Sequence, residues 1–159
     1  MVAAVCYRLL GSEIEFLLVQ TRGGRWTFPK GGVDPGMTRA QAAAMEALEE
    51  AGAHGRVEDI WFVRYYHRKS NETGDTPAAE STVHAHLCEV LRQGPPDERD
   101  RNPTWFPADK AKRRLREDRS RDVGDELARV VDRAVARIRR LHSGVTPIKE
   151  PLRQVRFEM

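Results

Sequence analysis

The chain has 159 residues, of which 40% are hydrophobic and 32% charged, with a formal net charge of +3. Those figures fit one globular domain with a heavily charged surface, and no run is long enough for a membrane span. The opening MVAAVCYRLLGSEIEFLL lacks the basic start and unbroken apolar core of a signal peptide, because Arg8 and Glu13 interrupt it.

Val2 to Leu10 is apolar and loosely alternating and reads as a strand. Gly11-Ser12 marks a turn, and Glu15 to Thr21 reads as the partner strand of a hairpin. After the turn Arg22 to Arg25 comes a short strand, Trp26 to Phe28, and then a glycine- and proline-rich loop from Lys30 to Gly36. Thr38 has the character of an N-cap, with Gln41 three residues on to close a capping box. The alanine-rich stretch Arg39 to Ala51 favours helix, and Gly52 ends it as a left-handed cap.

Val57 to His67 reads as one long aromatic strand, and Ser70 to Ala79 as a polar loop. Ser81 to Leu91 alternates, with Val83, Ala85 and Leu87 on one side and His84, His86 and Cys88 on the other. Gln93 to Pro103 is a charged, proline-rich loop. Thr104 to Phe106 is a short strand, and Pro107 opens a helix at its first turn that runs to about Glu117. A last helix from about Asp122 to His142 carries an apolar stripe of Val123, Leu127, Val130, Val131, Ala134, Ile138 and Leu141. Strands before and after a central helix, with helices at the end, predict an α+β domain over residues 1–143, layered α/β/α. Residues 144–159 form a C-terminal tail without clear periodicity.

Cys6 and Cys88 lie in strand-like runs and read as buried free thiols rather than a disulfide. A cytoplasmic location is the expectation, and no membrane partner is expected. The small positive charge suits a polyanionic ligand, or simply a basic surface. Arg113, Arg114 and Arg116, and again Arg137, Arg139 and Arg140, sit among acids on helical stretches. They read as solvated faces, with nucleic acid a second choice.

The densest chemistry lies in the central helix. Glu46, Glu49 and Glu50 share one helical face at spacings of three and four. Like charges so close together are unfavourable unless a cation sits between them, and a hard divalent cation prefers such oxygen ligands. The order of residues from Gly31 to Ala53 resembles the Nudix box, G-x5-E-x7-R-E-U-x-E-E-x-G-U with U aliphatic. Gly31, Glu46, Ala47, Glu49, Glu50, Gly52 and Ala53 match. Met37 stands at the early glutamate and Met45 at the arginine. The flanking PKGGVDPGMT is similar to the phosphate-side loop of many Nudix enzymes, and FPKGGVDPG looks most like the branch that cleaves dinucleoside polyphosphates and diphosphoinositol polyphosphates.

The resemblance implies a mixed β-sheet sandwiched between α-helices and hydrolysis of a diphosphate linkage. The ligand would be a small-molecule phosphoanhydride, with a dinucleoside polyphosphate or a diphosphoinositol polyphosphate favoured. It implies Mg²⁺ or Mn²⁺ held by Glu46, Glu49 and Glu50 with the Gly31 carbonyl, and Glu46 as a candidate base. Among the later acids Asp97, Glu98 and Asp100, Glu98 is the chosen further ligand. The other reading is a catalytically weak or inactive nucleotide-binding protein on the same scaffold, since Met45 cannot hold carboxylates as an arginine fork does. Lys30, Arg22, Arg64 and Arg68 are candidate substrate-binding cations. Tyr65, Tyr66 and Trp26 are aromatics able to stack on a base, although strand aromatics are more often core. The His84–His86 pair has no third ligand partner in the sequence and reads as a half-buried sheet face. A monomer or a homodimer is expected.

Overall fold

A computed structural model describes residues 1–69 and 79–143. Of the loop expected at 70–79, residues 70–78 lie outside the described residues, as does the tail at 144–159, while Ala79 already belongs to a strand. The apolar start of the chain forms β1 (Val2–Leu10), which pairs antiparallel with β2 (Glu13–Gln20). On the far edge of β2 lie the short β3 (Trp26–Thr27) and, later in the chain, β8 (Thr104–Pro107). A two-residue strand, β4 (Lys30–Gly31), pairs with Val2 and Ala3 of β1. The other edge of β1 is taken by the 15-residue β7 (Ala79–Gln93), which runs parallel to it. β5 (Ala53–Val57) and β6 (Val63–Lys69) both pair antiparallel with β7, one after the other along its length. The result is a mixed eight-stranded sheet.

The pleat sends alternate side chains to opposite faces. From β1, Val2, Ala4 and Cys6 join Ala42, Ala43, Ala47 and Ala51 of α1 (Arg39–Ala51) on one face. Ala3, Val5 and Tyr7 join the core beneath α2 (Ala108–Arg116) and α3 (Arg121–His142) on the other. The sheet is therefore sandwiched between helices, as the α+β reading predicts. The β7 alternation holds: Val83, Ala85 and Leu87 face α3, and Cys88 faces α1. Cys6 and Cys88 are buried free thiols, side by side on neighbouring strands.

Several boundaries differ from the sequence reading. Of the expected strand Val57 to His67 only Val57 belongs to β5, whose Ala53–Arg56 the sequence reading left unassigned; Glu58–Phe62 is a break, and β6 starts at Val63. Val57 lies opposite Cys88 and Val63 opposite Ala85. Two residues of β7 thus face five residues of the other chain segment, and the excess loops out. The amides of Glu58 and Phe62 still bond to Leu87 and Ala85 carbonyls, while Ile60 is 73% exposed. Lys30 and Gly31, expected in a loop, are drawn into pairing with β1. Pro107 closes β8 and caps α2 rather than lying in its first turn. Leu141 is exposed because the apolar stripe of α3 leaves the sheet at Ile138.

Candidate active site

Helix α1 is fixed at both ends. The Thr38 hydroxyl accepts from the Gln41 amide at 3.1 Å, and the Gln41 side chain accepts from the Thr38 amide at 2.9 Å. Both donors are otherwise orphans of a helix start. At the far end Gly52 adopts φ 66° and returns its amide to the Ala47 and Leu48 carbonyls. Four buried alanines bring the helix axis close to the sheet. This close seating places Glu50, 4% exposed, between helix and sheet, with Glu46 one turn earlier on the same side.

Gly31 meets that turn from β4. A Cβ on Gly31 would fall 2.3 Å from Oε2 of Glu46, so glycine lets the strand pass this near without displacing the carboxylate. The loop after β7 closes the other side. The Gly94 amide donates to the Gly52 carbonyl at 2.8 Å, and the Glu98 amide donates to the Glu49 carbonyl at 2.9 Å. Glu98 is thereby held beside the end of α1. Asp97 and Asp100, the other acids weighed for this loop, are exposed.

Negative charge is crowded around Glu46, which has Glu50, Glu49 and Glu98 for neighbours. Burial, a hydrogen bond to Glu50 and the negative charges of Glu50, Glu49 and Glu98 push Glu46 up to about 8. Burial also raises Glu50, against the opposing pull of Arg101 and of the bond from Glu46. Glu46 therefore favours its protonated form at neutral pH. Among the described residues no three potential ligands converge ready-made on a point. Glu46, Glu49 and Glu50 are the oxygen donors here that would suit a hard divalent cation, which would balance their charge.

Lys30 joins this cluster to a second feature. Its ammonium donates to the Thr27 hydroxyl at 3.3 Å. Burial lowers its pKa, while Glu50 opposes that fall and the nearby arginines Arg119, Arg101 and Arg25 add to it. Beside it opens a cavity of about 250 Å³ whose wall includes Arg25, Lys30, Tyr65, Tyr66, Asp118 and Arg119. The Tyr65 hydroxyl is buried there without a hydrogen-bond partner among the described residues. Burial and then Arg25 lower Arg119, with Tyr65 and Asp118 opposing. Three cations and an unpaired hydroxyl donor suit an anionic ligand.

Of the other sequence candidates, Arg22 is exposed in its turn and Arg64 is exposed on β6, and neither lines this cavity. The side chain of Arg68 lies outside the described residues. Tyr66, 51% exposed, lines the cavity mouth. Trp26 packs edge-on against Phe106 at 5.0 Å between ring centres. His84 is partly exposed, and His86 is buried with Nδ1 donating to the Glu58 carbonyl at 2.8 Å. Sequence reasoning missed Arg101 and Arg119. Both lie in arginine-rich polar stretches where no spacing distinguishes them from surface charge. No helix among the described residues is long and apolar enough to cross a membrane.

Comparison with known proteins identifies the family and the fold. The NUDIX domain family model matches residues 1–127. A bis(5'-nucleosyl)-tetraphosphatase (asymmetrical) of Caenorhabditis elegans is 53% identical over 49 residues, which is 30% of this chain and 36% of that protein. The chain thus matches about a third of the length of that curated relative. A crystal structure of a C. elegans Ap4A hydrolase binary complex superposes with a TM-score of 0.65 at 24% identity, covering 86% of this chain and 95% of the other. The NUDIX domain of Shewanella oneidensis NrtR, crystallised with ADP ribose, gives 0.62 at 17% identity and 86% of each chain. At these identities the two structures speak for the fold.

Proposed function

The chain belongs to the NUDIX domain family, and from that premise we propose that it hydrolyses a diphosphate linkage in a dinucleoside polyphosphate, with Mg²⁺ or Mn²⁺ as cofactor. The observation that carries this reading is the close approach of a strand kept bare at Gly31 to the Glu46 carboxylate, one helical turn from the buried Glu50. That arrangement is a carboxylate site whose charge calls for a cation. It opens next to a cationic cavity through Lys30, which belongs to both. The short, close match to an asymmetrical tetraphosphatase supports the choice of substrate. A diphosphoinositol polyphosphate is the second substrate class that such a cavity suits.

A divalent cation, when bound, neutralises the diphosphate and acidifies a coordinated water. Glu46, Glu49 and Glu50, with the Gly31 carbonyl and Glu98, are the proposed ligands. Glu46 is the proposed base: once its own proton is displaced, its carboxylate is free to take one from the attacking water. That water adds to one phosphorus, the bridging P–O bond breaks, and the leaving phosphate departs with the electron pair. Lys30, Arg25 and Arg119 counter the negative charge of the remaining phosphates, and the Tyr65 hydroxyl supplies a donor to a phosphate oxygen. Tyr66 at the mouth offers a face to a base.

A product assay tests this. Dinucleoside polyphosphates, nucleoside triphosphates, nucleotide sugars and diphosphoinositol phosphates are each incubated with the chain and Mg²⁺ or Mn²⁺. Cleavage of dinucleoside polyphosphates, lost in Glu49→Gln and Glu50→Gln, supports the proposal. Cleavage only of another class moves the substrate. Binding of a nucleotide by folded, metal-loaded protein without any turnover assigns the chain to a sensing role instead.

A further inference from the structure

Met45 leaves the box without its usual cation. Met45, at the arginine position, is 40% exposed and its thioether cannot donate to a carboxylate. A guanidinium nevertheless reaches the cluster, from outside the helix. Arg101, in the loop between β7 and β8, places Nη2 at 2.8 Å and Nε at 2.9 Å from Oε1 of Glu98. The same Nη2 stands 3.7 Å from Oε2 of Glu50. One planar group thus lies between the most buried glutamate of α1 and the acid of the loop.

The backbone is shaped to aim it. Asp100 and Asn102, on either side of Arg101, both adopt left-handed conformations, with φ 65° and 49°. Outside glycine such backbone is tolerated chiefly by Asn and Asp. Two successive reversals bracket the arginine and turn its side chain inward. The segment is then tied to β2: the Gln20 amide donates to the Arg101 carbonyl at 2.7 Å, and the Asn102 side chain donates to that of Gln20 at 3.0 Å. The guanidinium itself reaches the Gln20 carbonyl at 3.5 Å. Its position is set by these anchors as well as by its attraction to the acids.

We propose that Arg101 is the positioning residue of the carboxylate cluster, holding Glu50 and Glu98 at a fixed separation from the loop side, as an arginine within the helix does in the Nudix pattern. The inference rests on Glu46, Glu49, Glu50 and Glu98 being the metal-binding set proposed above. A planar fork suits this task because it offers several donors in one rigid plane, so both acids keep their orientation. Lysine, a single mobile point charge, would not hold the two apart.

The test compares the full chain with Arg101→Met and Arg101→Lys. Mn²⁺ affinity is read by the electron spin resonance of free Mn²⁺, kcat and KM on the cleaved substrate, and melting temperature by circular dichroism. Positioning predicts that Arg101→Met weakens Mn²⁺ binding by roughly tenfold or more, the usual scale for residues that orient ligands, and lowers kcat with KM little changed. It predicts that Arg101→Lys, which keeps the charge and should keep the fold, shows most of the same loss. Mn²⁺ affinity and kcat unchanged in Arg101→Lys, or in a folded Arg101→Met with a lower melting temperature, would reduce Arg101 to a structural tie. Tighter Mn²⁺ binding in either variant would make the arginine a competitor of the metal and overturn the proposal. Should the parent chain cleave nothing, the hydrolase reading fails while the Mn²⁺ comparison still decides the role of Arg101.

Discussion

Gly31 of β4 and Glu46 of α1 stand in direct contact: a methyl group added to Gly31 would lie 2.3 Å from one carboxylate oxygen of Glu46 and 2.7 Å from the other. Gly31 does not have the left-handed backbone that glycine alone favours, so the fold itself can accept alanine there. The conflict is entirely with the end of a movable side chain. Gly31→Ala is therefore expected to melt within about 1 kcal/mol of the parent, the ordinary scale for such an exchange. Its turnover should fall at least tenfold, the order expected when a reactive group is displaced by about an ångström. Melting curves set beside kcat/KM decide this. A variant that keeps full turnover would remove Glu46 from the reacting centre.

Tyr65 carries a hydroxyl that is buried in the cavity wall with no partner among the described residues. An unsatisfied buried donor costs about 1–3 kcal/mol. Tyr65→Phe removes that cost and should raise the melting temperature of the ligand-free chain. If a substrate phosphate accepts this hydroxyl, the same change raises KM several-fold. Arg119→Ala should raise KM as well, and more for substrates with longer phosphate chains. A Tyr65→Phe protein that is less stable and binds substrate unchanged would show that the hydroxyl is satisfied by solvent and not kept for a ligand.

Helix α1 was legible to the residue because its signals are local. Thr38 and Gln41 cap each other, and Gly52 must turn left-handed. The spacing of Glu46, Glu49 and Glu50 follows from the helix alone. The break between β5 and β6 was not legible, since Ile60, Trp61 and Phe62 have good strand character. It arises from the register of β7, a long-range property. Arg101 was hidden for a related reason. Its aim depends on left-handed backbone at Asp100 and Asn102 and on anchors 81 and 82 residues away in β2. Tyr65 was read as either core or ligand-facing; its ring is in the core while its hydroxyl lines the cavity.

Gly52 has a second duty besides capping. A Cβ on it would meet the carbonyl oxygen of Gly94 at 2.0 Å, and its φ of 66° disfavours any side chain. The obstacle is backbone, which cannot rotate away. Gly52→Ala should cost more than about 1 kcal/mol from the left-handed conformation alone. It should also push out the loop that carries Glu98 and Arg101, because the Gly94 and Glu98 amides both bond to the end of α1. Chemical denaturation should show the lost stability. Mn²⁺ titration should show weaker binding in the fraction that remains folded. Loss of stability with unchanged Mn²⁺ affinity would separate the loop from the metal set.

The raised pKa of Glu46 makes a prediction for stability against pH in metal-free protein. Glu46 titrates at about 8 in the folded chain against an ordinary 4.5, chiefly through burial and the neighbouring carboxylates. Between those values the folded chain binds more protons at this site than the unfolded chain does. Stability then falls as pH rises. The contribution is complete below the unfolded value and lost once pH passes the folded one. The melting temperature in chelator should accordingly drop from pH 6 to pH 9. Glu46→Gln cannot lose that proton, so it should flatten the profile and melt higher than the parent at pH 9, even though it abolishes turnover. Saturating Mg²⁺ or Mn²⁺ takes the place of the proton, and because its binding releases protons it strengthens as pH rises. Metal should therefore cancel or reverse the slope. A melting temperature that climbs through this window in chelator, and does so equally in Glu46→Gln, would show that Glu46 holds no proton there.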